Sequence, residues 1–197
     1  MIDIIVRDKR LEGNPPKTTD QRVVFNIDET ISLDSVLSTL AFFTKNNAGY
    51  RNILIMAHGL VDSKTQHGGL GIQLGKEGLS LQNVQKWNAL KGKVREIVIY
   101  ACAAAGVQVG MANEAKVGNG VYLCSQIAFY SGAIVTASTD IQLYKKGVLS
   151  LVWDIEMNFG EWEGTVLHFY PDGSIGMPNG SNVKPKWKGE QWVRRSG

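Results

Sequence analysis

Two short, unbroken apolar runs constrain this chain more than any other feature. Ile53-Leu54-Ile55-Met56-Ala57 stops abruptly at His58-Gly59, and Ile97-Val98-Ile99-Tyr100-Ala101 stops at Cys102. A run with no polar alternation has no face for water. It therefore fits a strand covered on both sides in a mainly parallel sheet. A third run, Ala133 to Ala137, ends at Ser138-Thr139-Asp140. Helical spacings fall between these runs. Leu33, Val36, Leu37 and Leu40 recur behind a capping Ser32 up to about Asn46. Leu81 to Leu90 reads as a helix capped by Ser80, and another covers much of Ala112 to Tyr130, interrupted by Gly118 and Gly120. Alternating strands and helices predict an α/β domain, as a three-layer α/β/α sandwich around a mainly parallel central sheet.

The remaining segments fit that scheme. Ile2 to Val6 and Arg22 to Ile27 read as strands, the first broken by Gly13-Asn14-Pro15-Pro16. Gly68 to Gly78, with five glycines around Leu70, Ile72 and Leu74, suggests a small hairpin. Leu149 to Met157, Thr165 to Tyr170 and Ser174 to Met177 read as β structure, with a turn at Pro171-Asp172-Gly173. There is no internal repeat. Residues 1–182 read as a single domain and 183–197 as a basic tail.

Composition narrows the function classes. The 197 residues are 44% hydrophobic and 20% charged, which excludes a collagen, a low-complexity chain and a disulfide-stapled miniprotein. The net charge of +3 is local: the tail holds five Lys/Arg against Glu190 alone. The other 16 basic and 17 acidic residues leave the body at −1, so no nucleic-acid partner is expected. The tail, with Trp187 and Trp192, reads either as a contact for an anionic partner or as a solvated end. No apolar run approaches the ~18–20 residues needed to cross a bilayer, so no membrane partner is expected. The start, Met-Ile-Asp-Ile-Ile-Val-Arg, lacks the pattern of a secretory signal. A cytoplasmic protein is expected, with signal-less export left open.

Two cysteines are too few for a disulfide framework or a four-cysteine zinc site. They leave room for other chemistry. In open α/β sheets, functional groups gather beyond the carboxyl ends of the strands. If the His58 and Cys102 strands are neighbours, an imidazole emerges beside a thiol, as a cysteine nucleophile requires. The thiolate attacks an acyl carbon, the imidazole passes the proton to the leaving amine, and the amides of Gly59 and Cys102 face the oxyanion. The alternative is that Cys102 is a small core residue and His58-Gly59 a turn. His67-Gly68 sits in the glycine-rich loop with no buried strand to present it, His168 lies in a β pattern, and Cys124 reads as packed. No metal site and no cofactor are expected from these residues.

An apolar strand ending in His-Gly, followed 44 residues later by one ending in Ala-Cys, resembles the caspase–gingipain–legumain group of cysteine peptidases. A longer resemblance is to an uncharacterised bacterial caspase-like domain found at the front of large adhesin-like proteins. It is carried by His58-Gly59, Gly69-Leu70-Gly71-Ile72-Gln73-Leu74-Gly75, Leu79-Ser80-Leu81 and Tyr100-Ala101-Cys102. Gly132 to Asp140 and Gly160-Glu161-Trp162-Glu163 extend it, so it spans roughly Arg51 to Glu163. The resemblance implies a caspase-like fold, His58 as acid–base, Cys102 as nucleophile and the Gly59 amide as an oxyanion donor. It also implies a protein or peptide substrate, in self-processing or in a toxin or defence role.

The pattern departs from true caspases, whose Gln-Ala-Cys-Arg-Gly reads Tyr100-Ala101-Cys102-Ala103-Ala104 here. In related peptidases the strand after the cysteine strand leads into the pocket for the residue before the cut. The resemblance thus implies Ser138 and Asp140 as substrate-binding residues; an acidic Asp140 there favours Lys or Arg, and by charge complementarity alone Lys145-Lys146 is the expected self-cleavage site. The other reading of Asp140 is a turn cap. The expected activity is that of a cysteine endopeptidase, and the alternative is a catalytically inactive caspase-like module that binds another protein.

Overall fold

The computed structural model describes residues 3–13, 16–45, 51–64, 68–112, 114–142, 162–177, 187–188 and 191–192. The chain runs β1 (Asp3–Asp8), β2 (Arg22–Ile27), α1 (Leu33–Lys45), β3 (Arg51–Met56), β4 (Gly59–Leu60), β5 (Gly71–Ile72) and a 3-10 helix (Val84–Leu90). It continues with β6 (Val94–Tyr100), α2 (Gly120–Ser131), β7 (Ile134–Ser138), β8 (Val166–Phe169), β9 (Ile175–Gly176), β10 (Trp187–Lys188) and β11 (Gln191–Trp192).

Seven strands form the central sheet in the order β2-β1-β3-β6-β7-β8-β9. The first five are parallel, and β8 and β9 are antiparallel additions. The chain moves from β1 outward to β2, then returns to β3 on the other side of β1. That reversal is a topological switch point at the carboxyl ends of β1 and β3, where open α/β sheets place their ligands.

The continuous apolar runs are buried on both faces, as their composition predicts. Ile4, Val6, Ile53, Ile55, Ile97, Ile99 and Val135 pack into one cluster with α1, the 3-10 helix and α2. Ile5, Leu54, Met56, Val98 and Tyr100 point the other way, onto Leu11, Trp162 and Val166. Trp162 meets Tyr100 edge to face, with ring centroids 4.9 Å apart. All three helices among the described residues therefore cover one face. Among the described residues no helix covers the other face, so the expected helices on both faces are seen on one only; the expected β segment at 149–157 lies outside the described residues.

The helices follow local signals. Ser32 Oγ accepts from Ser35 N at 3.1 Å, and Glu77 Oε2 accepts from Leu33 N at 2.7 Å, so the start of α1 is capped from two sides. Its buried residues Leu33, Val36, Leu37, Leu40 and Thr44 trace one stripe.

The expected helix over 81–90 is instead a 3-10 helix over Val84–Leu90. Val84, Trp87 and Leu90 are its buried residues, and a spacing of three suits three residues per turn rather than 3.6. The expected helix from Ala112 is shorter, because Gly118 sits at φ 97° and Asn119 caps the helix that follows. Asn119 Oδ1 accepts from Tyr122 N, and its Nδ2 donates to the carbonyls of Met111, Ala112 and Glu114. The glycine-rich stretch forms the expected small hairpin: Ile72 and Leu79 exchange two main-chain hydrogen bonds, and β5 pairs with β4 directly after His58. In the tail, β10 and β11 pair antiparallel.

Candidate active site

β3 and β6 are adjacent and parallel, in register as far as Met56 opposite Tyr100. His58 and Cys102 each lie two residues further on, at the same edge of the sheet. The backbones there are in close contact. A Cβ on Gly59 would come within 1.8 Å of the Cys102 carbonyl oxygen and 2.7 Å of its carbon. Glycine is thus needed at 59 for space. Strand alternation, which sends Leu54, Met56, Val98 and Tyr100 to the Trp162 face, makes His58 and Cys102 the next members of that series.

His58 is exposed and Cys102 half-buried. Their side chains meet different partners. His58 Nε2 lies 3.2 Å from Arg10 O, in the loop beyond β1. A carbonyl only accepts, so this contact requires the proton on Nε2 and leaves Nδ1 as the basic nitrogen. Cys102 Sγ donates to Gln142 O at 3.6 Å. Cys124 differs in kind: it is fully buried, burial pushes its thiol pKa strongly up, and Sγ donates to Ala104 O at 3.7 Å.

The turn after Cys102 is tight and braced. Ala103, at φ 45°, is the single non-glycine with positive φ among the described residues, a conformation costing about 1–2 kcal/mol. Ala103 N donates to Asp140 O and Ala105 N to Ser138 O, at 2.8 and 2.9 Å. Gly68 packs so closely on Ala103 that a Cβ there would approach its oxygen to 2.2 Å.

The β7 exit forms one wall of the site. Ser138 is buried and its hydroxyl donates to Glu163 O, so that group is engaged within the protein. Asp140 is exposed. Its carboxylate lies over Gly164, where a Cβ would come within 2.0 Å of Oδ2. Gln142 is buried and ties the wall together: Nε2 donates to Asp140 O and Glu163 O, and Oε1 accepts from Glu163 N. Lys145-Lys146 and His67 lie outside the described residues. His168 Nδ1 is 2.8 Å from Thr136 Oγ1, which donates to buried Glu96.

Sequence reasoning missed the residues that hold these parts in place. Asp8 is fully buried at the end of β1. Its carboxylate accepts from Arg10 Nε and Nη2 at 2.7 and 2.5 Å, and from the amides of Arg10 and Gly75 at 3.1 Å each. Arg10 Nη2 also donates to Gly75 O at 2.8 Å. Burial alone raises the Asp8 pKa, but the Arg10 side chain and the two amides outweigh it and hold the carboxyl below its usual range. The folded value being lower than the unfolded one, about 3.9, the stabilisation is complete above that pH. It is lost as pH falls through the folded value. Acid titration followed by circular dichroism is expected to show this loss below about pH 4 in the wild type, with a shallower slope in Asp8→Asn. Equal slopes would rule the linkage out.

Among the described residues, no group of three or more His, Cys, Asp and Glu gathers as a metal site, and no helix is long and apolar enough to cross a membrane. No family model matches the sequence, and neither does any curated protein.

Proposed function

We propose that this chain is a caspase-like cysteine endopeptidase, with Cys102 as nucleophile and His58 as acid–base. The observation carrying this reading is the contact of Gly59 with the Cys102 backbone, which sets an imidazole-bearing and a thiol-bearing strand end side by side. The strand order, with its reversal between β1 and β3, supports it, because that edge is where α/β sheets bind ligands. The contact of His58 with Arg10 O supports it too, since it leaves Nδ1 free to take a proton.

In the proposed reaction the Cys102 thiol turns from Gln142 O toward His58 and gives its proton to Nδ1. The thiolate adds to the scissile carbonyl, and the oxyanion is met by the Gly59 and Cys102 amides. The C–N bond breaks as the imidazolium protonates the leaving amine, leaving a thioester. Water, deprotonated by the same imidazole, attacks the thioester, and the acid product leaves with the thiol restored. Asp140, exposed on the wall, is the proposed contact for a basic residue before the cut.

Labelling with a peptide bearing a thiol-directed electrophile tests this. Cys102 is expected to react at least about 100-fold faster than Cys124, and His58→Ala is expected to remove most of that advantage. Equal labelling of the two thiols, indifferent to His58→Ala, would instead support the non-catalytic protein-binding module.

A further inference from the structure

We infer that Asp8 and Arg10 form a positioning device for His58, fixing which of its ring nitrogens is the base. The inference rests on the peptidase reading for its purpose, but on separate atoms for its evidence. Among the described residues, the one contact that selects a tautomer of His58 is a main-chain carbonyl, Arg10 O, at 3.2 Å from Nε2. A carbonyl in a loop is useful for this only if the loop is held still. Here the loop is held unusually firmly. Asp8, with no exposed surface, receives four hydrogen bonds, and three come from Arg10 itself. The guanidinium uses Nε and Nη2 on the two carboxylate oxygens, a fork that fixes orientation as well as distance.

Further bonds fix both flanks of the carbonyl. Lys9 N donates to Ile27 O and Leu11 N to Asp8 O, at 2.8 and 3.0 Å. Arg7, itself buried, donates Nη2 to Leu11 O and Gly13 O at 2.6 Å. Gly75 joins the cluster from the hairpin that follows His58, as amide donor to Asp8 and carbonyl acceptor for Arg10. The main chain of His58 is held by the same hairpin, since Gln73 N donates to His58 O at 2.8 Å. Both ends of the Nε2–carbonyl contact thus refer to one ion pair, a buried Asp8 carboxylate under a half-buried Arg10 guanidinium.

Nitrogen-15 NMR of the full chain labelled at its three histidines tests this directly, with the His58 signals assigned by their loss in His58→Gln. Near neutral to alkaline pH, the wild type is expected to show His58 as one tautomer, protonated at Nε2. In Asp8→Asn the two His58 nitrogens are expected to move toward averaged shifts, while those of His168 stay in place. Should Asp8→Asn fail to fold, Arg10→Lys serves the same purpose: it keeps the charge beside Asp8 but loses the fork. Peptide turnover is expected to fall about 10-fold or more in kcat with KM within about twofold, a share of the 10²–10⁴ a placed base contributes. A single Nε2–H tautomer that survives in both variants overturns the inference. Averaging of the tautomer in a chain that cleaves no peptide supports the device and counts only against the peptidase reading.

Discussion

Cys102→Ala is expected to lower peptide cleavage by about 10⁴-fold or more, because it removes the atom that forms the thioester rather than one that assists it. His58→Ala is expected to cost about 10²–10⁴-fold, the contribution of a general base. The double variant should be little worse than Cys102→Ala alone, since base and nucleophile act in one step and their losses do not add. Cys124→Ala supplies the comparison. Its thiol is buried against Ala104, so its replacement touches packing and leaves kcat near the wild-type value. The measurement is steady-state hydrolysis of a peptide with Lys or Arg before the cut, alongside circular dichroism to show that each variant is folded. Cleavage that persists undiminished in Cys102→Ala would end the proposal.

Gly59→Ala is expected to cost about 3 kcal/mol or more, at the upper end of what overpacking does to a well-packed interior. The new methyl would sit 1.8 Å from the Cys102 oxygen and 3.0 Å from its nitrogen. These are main-chain atoms of a central strand's exit, so no rotamer change relieves the contact and the two strand ends must part. The same displacement moves His58 relative to Cys102. Stability and thiol labelling should therefore fall together: a lower urea midpoint at unchanged m, and slower reaction of Cys102 with the peptide electrophile. Wild-type stability and labelling in Gly59→Ala would show that the two strand ends are not in contact.

Much of this fold is legible in the sequence because a doubly buried strand leaves a plain mark. Ile53 to Ala57 and Ile97 to Ala101 have no polar side, and each is a central strand with both faces covered. The stripe from Leu33 to Leu40 is equally direct, and the cap at Ser32 is where the helix starts. The positions of His58 and Cys102 at strand ends follow from the same runs. Other features had weaker marks. Val84, Trp87 and Leu90 repeat at three, which an α-helix and a 3-10 helix both tolerate over so short a length. The helix start at Gly120 depends on Asn119 satisfying three carbonyls upstream, a tertiary matter that spacing does not express.

The support of the site was hidden for a different reason. Arg10 contributes a main-chain oxygen, and every residue has one. Gln142 acts through its carbonyl on Cys102 and through its amide on Glu163, yet as a residue type it marks nothing. Asp8 closes an apolar strand, where a carboxylate looks like the first wet residue; it is fully buried because Arg10 folds back over it.

The segments that build the His58–Cys102 edge and its wall are far apart in the chain: the loop after β1, the end of β3, the turn at 103–106, the exit of β7 and the stretch at 162–164. A ribosome delivers them in that order, and at 5–20 residues per second the gap between Cys102 and Glu163 lasts about 3 to 12 s. For that interval the nascent chain holds the thiol and the imidazole but lacks Gln142's partner and the Trp162 cover over Tyr100. Assembly of the wall is then a late event of biosynthesis, and the age of a nascent chain, as much as its sequence, decides whether its thiol sits in a finished pocket.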